Sequence, residues 1–177
     1  MNNQLKISLC IPAYNEEKGI AECIGYVQRN AGGKFFEILV INNSSTDHTA
    51  EVARSIPGVR VVDEPKKGLV MARQRAYIEA KGDVLAFIDA DTRMPEGWYE
   101  KVAGAFMSDP RVVCVSGPYR YYDCPRWHTW ATSLSWIIFA YPIYKFITGY
   151  LAVGGNFAIS KKGLDAMNGF DTSRKFL

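Results

Sequence analysis

Val84-Leu-Ala-Phe-Ile-Asp-Ala-Asp-Thr92 is the stretch whose reading decides the fold of this chain. Five apolar residues in a row, 84–88, suit a strand buried on both faces, the usual state of a parallel sheet covered by helices. The run ends on two carboxylates, Asp89 and Asp91. In an extended segment, side chains two apart point the same way, so both acids are predicted to face one ligand while Ala90 faces the packing side. Hard cations such as Mg2+ or Mn2+ favour carboxylate oxygens and are commonly held by only one or two of them, with water and substrate phosphate supplying the rest. Asp is also common in plain turns after strands, so the neighbouring segments must decide between the two readings.

Upstream, strand-like and helix-like segments alternate. Lys6-Ile-Ser-Leu-Cys-Ile-Pro12 is a short, mostly apolar run closed by Pro, which suits a first strand. Asn15 is placed to cap a following helix, with Glu16 and Glu17 in its first turn and Ile20, Ile24 and Val27 on its apolar face. Residues 37–42 form a second strand, Asn43-Ser-Ser-Thr-Asp47 a polar loop, and residues 49–55 a helix. A third strand covers 59–63. Pro65-Lys-Lys-Gly68 then leads into a helix with Leu69, Ala72, Ala76 and Ala80 on one side. This alternation predicts an α/β fold, a Rossmann-like, mainly parallel sheet with helices on both faces.

In such sheets ligands sit beyond the carboxyl ends of the strands. The loops after the first, second and fourth strands therefore gather at one edge, with Lys66, Lys67 and Arg73 in reach of it. A cation there would offset the charge of a metal-bound pyrophosphate. A solvated turn for the lysines and a structural ion pair for Arg73 are the plainer alternatives. Neither a Gly-x-Gly-x-x-Gly fingerprint nor a Gly-x-x-x-x-Gly-Lys-Ser/Thr loop occurs, so phosphate must be held by metal and side chains.

A chain of 177 residues, 48% of them hydrophobic, is long enough for one well-buried domain. Its net charge of +3, without a run of Lys and Arg, argues against nucleic acid as a partner. Cys10, Cys23, Cys114 and Cys124 show no Cys-x-x-Cys spacing and read as buried, reduced thiols, and residues 1–6 do not resemble a signal peptide. Both point to the cytoplasm. His48 and His128, far apart, give little support to a zinc site.

In the second half, residues 97–108 form a helix with Trp98, Val102, Ala105 and Phe106 on one side, and residues 112–116 a strand. The composition then turns aromatic, with Tyr119, Tyr121, Tyr122, Trp127, Trp130, Trp136, Tyr141, Tyr144 and Tyr150. Leu134 to Val153 approaches bilayer-spanning length, but Pro142, Lys145 and Gly149 interrupt it and the rings are not collected at its ends. Core packing, contact with a membrane surface and a true span all stay open, with the first two ahead of the third. Aromatic rings also stack on sugar faces.

Three motifs in order, Ile11-Pro-Ala-Tyr-Asn-Glu-Glu17, Val40-Ile-Asn-Asn-Ser-Ser-Thr-Asp-His-Thr49 and Phe87-Ile-Asp-Ala-Asp91, resemble the family 2 glycosyltransferases, GT-A-fold enzymes that use nucleotide-activated sugars. The resemblance implies that Pro12, Ala13, Tyr14 and Glu16 line a nucleotide pocket and that Asn42 and Asn43 face the base. It further implies that Asp89, Ala90 and Asp91, with Lys67 and Arg73, serve ribose, metal and diphosphate, Asp91 and Asp89 being the metal ligands for Mg2+ or Mn2+. Val153-Gly-Gly-Asn-Phe-Ala-Ile-Ser160 resembles the family's acceptor-side loop and next strand, which places Gly154, Gly155 and Asn156 by the acceptor, and a short helix over 161–167 follows. The family commonly carries Asp-Asp-Gly-Ser where this chain has Asn42-Asn-Ser-Ser45; an amide donates as well as accepts, so the base of the donor is left open.

The implied function is metal-dependent transfer of a sugar, with inversion, from a nucleotide-sugar donor to a hydroxyl on a glycan or lipid-linked acceptor, peripheral to a membrane. Residues 1–118 would form the donor half and 119–177 the acceptor half of one continuous domain. Inverting transfer needs a carboxylate base by the acceptor hydroxyl. The family's acidic pair for this role comes shortly after the landmark Gly169-Phe-Asp171 and is absent here, so the chain reads as truncated before it; Asp171 and Asp165 are the remaining late acids, neither at the base position, with Asp171 the candidate substitute. Two alternatives stand beside this: a nucleotide-sugar-binding domain without turnover, and, lower, a sugar nucleotidyltransferase, which would want a Gly-rich loop after the first strand.

Overall fold

The computed structural model describes residues 5–117, residue 138 and residues 154–173. Eleven elements follow one another: β1 (Ile7–Ala13), α1 (Ile20–Ala31), β2 (Glu37–Asn42), α2 (Thr49–Arg54), β3 (Val59–Asp63), α3 (Leu69–Glu79), β4 (Val84–Ile88), α4 (Trp98–Ser108), β5 (Cys114–Ser116), β6 (Asn156–Ser160) and α5 (Lys161–Ala166). The six strands form one sheet in the order β3-β2-β1-β4-β6-β5. The first four strands of the chain pair parallel. β6 runs antiparallel between β4 and β5, and its first residue, Asn156, lies opposite Ile88 at the end of β4. The mainly parallel α/β sheet read from the sequence is present.

The sheet is covered on both faces because its strands are apolar on both. In β1, Ile7, Leu9 and Ile11 pack with Ile20, Ile24 and Val27 of α1 and with Ala53 of α2. Cys10, together with Leu39, Ile41, Leu85 and Phe87, faces the other way, against Ala72 and Ala76 of α3 and Leu164 of α5. Each large side chain removed from water in this way contributes about 1.5–3 kcal/mol.

Pro12 ends the shared ladder on one side only. β1 pairs with β2 as far as Ala13–Asn42, but its pairing with β4 stops at Cys10–Phe87. Beyond that point β1 and β4 part. That is also where the strand order reverses, the place where open α/β sheets form their crevice.

Several local expectations are corrected. Asn15 does not cap α1: the helix begins at Ile20, and Asn15 has φ 56° while its side chain accepts from Thr46 N at 2.8 Å. A local side-chain bond across to the neighbouring loop replaces the helix start. Cys114 is exposed, because β5 is a short edge strand, whereas Cys10 and Cys23 are buried. Leu69 is exposed at the start of α3, although Ala72, Ala76 and Ala80 are buried as expected. No helix among the described residues is long and apolar enough to cross a membrane. The aromatic stretch 119–153 and Cys124 lie outside the described residues.

Candidate functional site

β4 delivers the acid pair to the crevice, but as a turn. Residues 89–92 fold back on themselves, with Thr92 N donating to the Asp89 carbonyl at 3.0 Å. The alternation expected of an extended segment therefore does not apply. Instead Asp89 is half-buried, Ala90 is buried and Asp91 is exposed.

The turn is fastened to one face of α1. Cys23 Sγ donates to the Asp89 carbonyl at 3.6 Å, Glu22 pairs with Arg93 at 2.9 Å, and Asn30 donates to the Met94 carbonyl at 2.6 Å. Burial, reinforced by nearby Asp91, Asp89 and Glu16, pushes the Cys23 thiol up to about 12, so it stays a protonated donor. None of these anchors was assigned to the site from the sequence. Their only signal is the spacing 22, 23 and 30, which reads equally well as a plain helix surface.

Glu16 joins the acids at this edge. Burial, then the charges of Asp91, Asp47 and Asp89, raise its carboxyl above the ordinary range. The loops after β1 and β2 are laced together around it. Glu16 N donates to Thr49 Oγ1 at 2.7 Å, Glu17 N to Asp47 at 3.2 Å, and Asn15 N to Ser45 at 3.2 Å. Asn15 and Ser44 both hold positive φ, 56° and 57°, a conformation that ordinary residues adopt only under such constraint.

No group of three or more His, Cys, Asp or Glu side chains that could hold a metal ion occurs among the described residues. Two hard oxygen donors in a region of concentrated negative charge fit Mg2+ or Mn2+, which keep several positions for water and phosphate.

Beside the crevice is a cavity of about 200 Å3, lined by Pro12, Ala13, Tyr14, Asn43, Lys67, Gly68, Leu69 and Ala72. Four of the residues read as donor-binding meet here in addition to Pro12: Ala13, Tyr14, Asn43 and Lys67. The Lys67 ammonium donates to the Tyr14 hydroxyl at 2.7 Å and stands 4.1 Å from the centre of its ring. Gly68, at φ 137°, makes the sharp passage from this loop into α3.

Asn43 is 4% exposed, and its amide is fully engaged. It donates to the Lys66 carbonyl at 2.7 Å and accepts from Gly68 N at 2.7 Å, so it shapes the loop that closes the cavity. Asn42 points elsewhere and donates to Asp63 at 2.8 Å, with Asp63 also held by Arg54 at 2.7 Å. The two asparagines thus have different surroundings.

Arg73 lies one residue beyond the cavity wall. It donates to the Gly154 carbonyl, and its guanidinium stands 5.3 Å from the Phe157 ring. Gly154 is exposed and Gly155 buried. Asn156 accepts from the Trp98 indole N–H at 3.1 Å and donates to the Gly117 carbonyl at 3.2 Å, tying α4 and β5 to the start of β6. Of the two late acids, Asp165 accepts from the Tyr77 hydroxyl at 2.7 Å, and Asp171 accepts from Ser173 N at 3.0 Å in a local turn.

The family model described as Glycosyl transferase family 2 matches residues 8–167. Among curated relatives, the chain is 36% identical over 95 residues to dolichol-phosphate mannosyltransferase of Pyrococcus furiosus, covering 51% of this chain and 27% of that protein. It is 30% identical over 125 residues to glucosyl-3-phosphoglycerate synthase of Mycolicibacterium smegmatis, covering 64% and 40%. The crystal structure of glucosyl-3-phosphoglycerate synthase from Mycobacterium tuberculosis in complex with UDP superposes with a TM-score of 0.66 at 25% identity, over 89% of this chain and 57% of that one. The chain therefore spans well under two thirds of the length of these relatives.

Proposed function

The chain belongs to glycosyl transferase family 2, and on that premise we propose that it moves a sugar from a nucleoside diphosphate donor to a hydroxyl acceptor, with inversion and with the help of Mg2+ or Mn2+. One observation carries the reading: the turn bearing Asp89 and Asp91, the carboxyl of Glu16 and the cavity between Tyr14 and Lys67 meet at a single sheet edge. Acids for a cation beside a polar-rimmed cavity are what a diphosphate joined to a nucleoside requires.

In this reading Pro12, Ala13 and Tyr14 wall the nucleoside, and the Lys67 ammonium faces the diphosphate side. Asp91 and Asp89 would hold the cation, whose charge would offset that of the leaving diphosphate. The acceptor oxygen attacks the anomeric carbon from the face opposite the diphosphate, the carbon–oxygen bond to the diphosphate breaks, and the acceptor proton passes to a carboxylate base. Asp165 and Asp171 accept from the Tyr77 hydroxyl and Ser173 N, and neither matches the position of the family's acidic pair, so we assign the base to neither.

The acceptor is read as a glycan or a lipid-linked hydroxyl, met by residues 154–156 and the aromatic half of the chain. Kinship with a dolichol-phosphate mannosyltransferase supports a lipid-linked acceptor at a membrane surface. The donor base is open: UDP is bound by the related mycobacterial synthase, but an amide at position 43 is a different partner from a carboxylate.

Incubating the 177-residue protein with a panel of nucleotide sugars, with Mn2+ and with a chelator, tests the proposal. Metal-dependent release or transfer of sugar from at least one donor is expected. Absence of turnover with every donor overturns it, and metal-dependent nucleotide binding in that case identifies a binding domain instead.

A further inference from the structure

α3 does two things at once. Its first turn, with Leu69 and Ala72, lines the cavity, and the residues that follow grip the segment that begins at Gly154. Arg73 donates to the Gly154 carbonyl. Gln74 accepts from Phe170 N at 2.7 Å, and the Tyr77 hydroxyl donates to Asp165 at 2.7 Å. Lys161 donates in return to the carbonyls of Tyr77 at 3.3 Å and Ala80 at 2.7 Å. Positions 73, 74 and 77 share one side of a helix, so the whole piece β6–α5 is bolted to the cavity wall by a single face.

Within this set Arg73 is the contact at the carboxyl edge of the sheet. Its guanidinium rests on Phe157, which stacks on Phe87 of β4 with centroids 4.8 Å apart and planes at 18°. A planar cation held beside an aromatic ring while one of its N–H groups donates to a carbonyl is a strut. Two residues on from Gly154, Asn156 pairs with Ile88, directly before the acid pair.

We propose that Arg73 is a positioning residue: acting through the Gly154 carbonyl and the Phe157 ring, it fixes residues 154–156 against the acid-bearing end of β4. The inference rests on the proposed transferase reading only for what residues 154–156 would then present, namely the acceptor. It departs from the sequence-based expectation that Arg73 grips the donor diphosphate. The guanidinium N–H that holds Gly154 is not available to a phosphate while that bond stands.

The test compares wild type, Arg73→Ala and Arg73→Lys in the 177-residue protein. Three quantities are measured: hydrogen exchange of amides in 154–157, with 84–88 as the internal reference; UDP and GDP binding in Mn2+; and donor turnover, as kcat and KM. Arg73→Ala is expected to speed exchange in 154–157 by about fivefold or more, the scale of one lost charge-assisted bond at a partly exposed site, with 84–88 unchanged. Nucleotide affinity and donor KM stay within about twofold while kcat falls, and Arg73→Lys restores part of both exchange protection and kcat. Unchanged exchange in 154–157 together with a tenfold or greater loss of nucleotide affinity overturns the proposal in favour of direct phosphate contact. Equal loss of protection in 84–88 also overturns it, by making Arg73 a general fold determinant. If wild type binds neither nucleotide nor turns over any donor, the transferase reading fails, and the exchange comparison still decides whether Arg73 is the strut.

Discussion

At Asn43 the chain departs from its family's usual carboxylate, and the surroundings explain why an amide suits this molecule. The side chain both donates, to the Lys66 carbonyl, and accepts, from Gly68 N, in a site only 4% exposed. A carboxylate could accept but not donate, and would set two oxygens against each other at 2.7 Å. Asn43→Asp is therefore expected to lower stability by about 1–3 kcal/mol, measured by denaturant unfolding. Asp91 presents the opposite case, exposed and standing among acids. Asp91→Asn should leave the melting temperature nearly unchanged or slightly raised while weakening Mn2+ binding, followed by electron paramagnetic resonance, and lowering turnover about 100-fold or more. The placement of Asn43 and Asp91 at the carboxyl edge of the sheet was legible in the sequence, because each lies in a loop directly after a strand. What each side chain touches was not: Asn42 and Asn43 are neighbours with one chemistry, yet one faces Asp63 and the other the cavity.

At the scale of elements, β2, β3 and β4 were readable to the residue, since each is an apolar run bounded by polar or Gly-containing loops. The start of α1 was misread because Asn15, an apt cap by type, spends its side chain on Thr46 of the adjacent loop. Only the folded chain brings that partner near. The junction between α3 and β4 carries a tight crossing that spacing could not reveal. A Cβ on Gly82 would lie 2.8 Å from both the Lys6 carbonyl and Ser8 N, backbone atoms that cannot yield without disturbing β1. Gly82→Ala is expected to cost about 1–3 kcal/mol in chemical denaturation, by overpacking against backbone. The order of elements was legible along the chain. The insertion of β6 antiparallel between β4 and β5 was not, because strand order there is set by the long connection 118–153 and by no local signal in the strand itself.

Across the whole molecule, the edge of the sheet opposite the crevice is held by charge. Glu37 at the start of β2 receives Ser8 Oγ and Lys81 N, both at 2.7 Å, and Arg60 at 2.8 Å, while Arg60 also pairs with Glu79 of α3 at 3.2 Å. Burial acts to raise the Glu37 carboxyl, but the bonds from Lys81, Ser8 and Arg60 outweigh it and hold the group below the ordinary carboxylate range. A carboxyl lowered in the folded state stabilises above its unfolded pKa, and that contribution is lost as pH falls through the folded value. Stability should therefore decline on acidification from the ordinary carboxylate range downward, and Glu37→Gln should be less stable at neutral pH with a shallower acid dependence, read from melting curves across pH. With this end braced, the opposite end is left for the acid turn, the laced loops and the cavity, which together carry the functional proposal. Its most direct test is calorimetric titration of the 177-residue protein with UDP and GDP, in Mn2+ and in a chelator. Saturable binding of at least one of them in Mn2+ is expected, weakened about tenfold or more, roughly 1.4 kcal/mol, when the metal is removed. Binding of neither nucleotide, or equal affinity with and without metal, would contradict it.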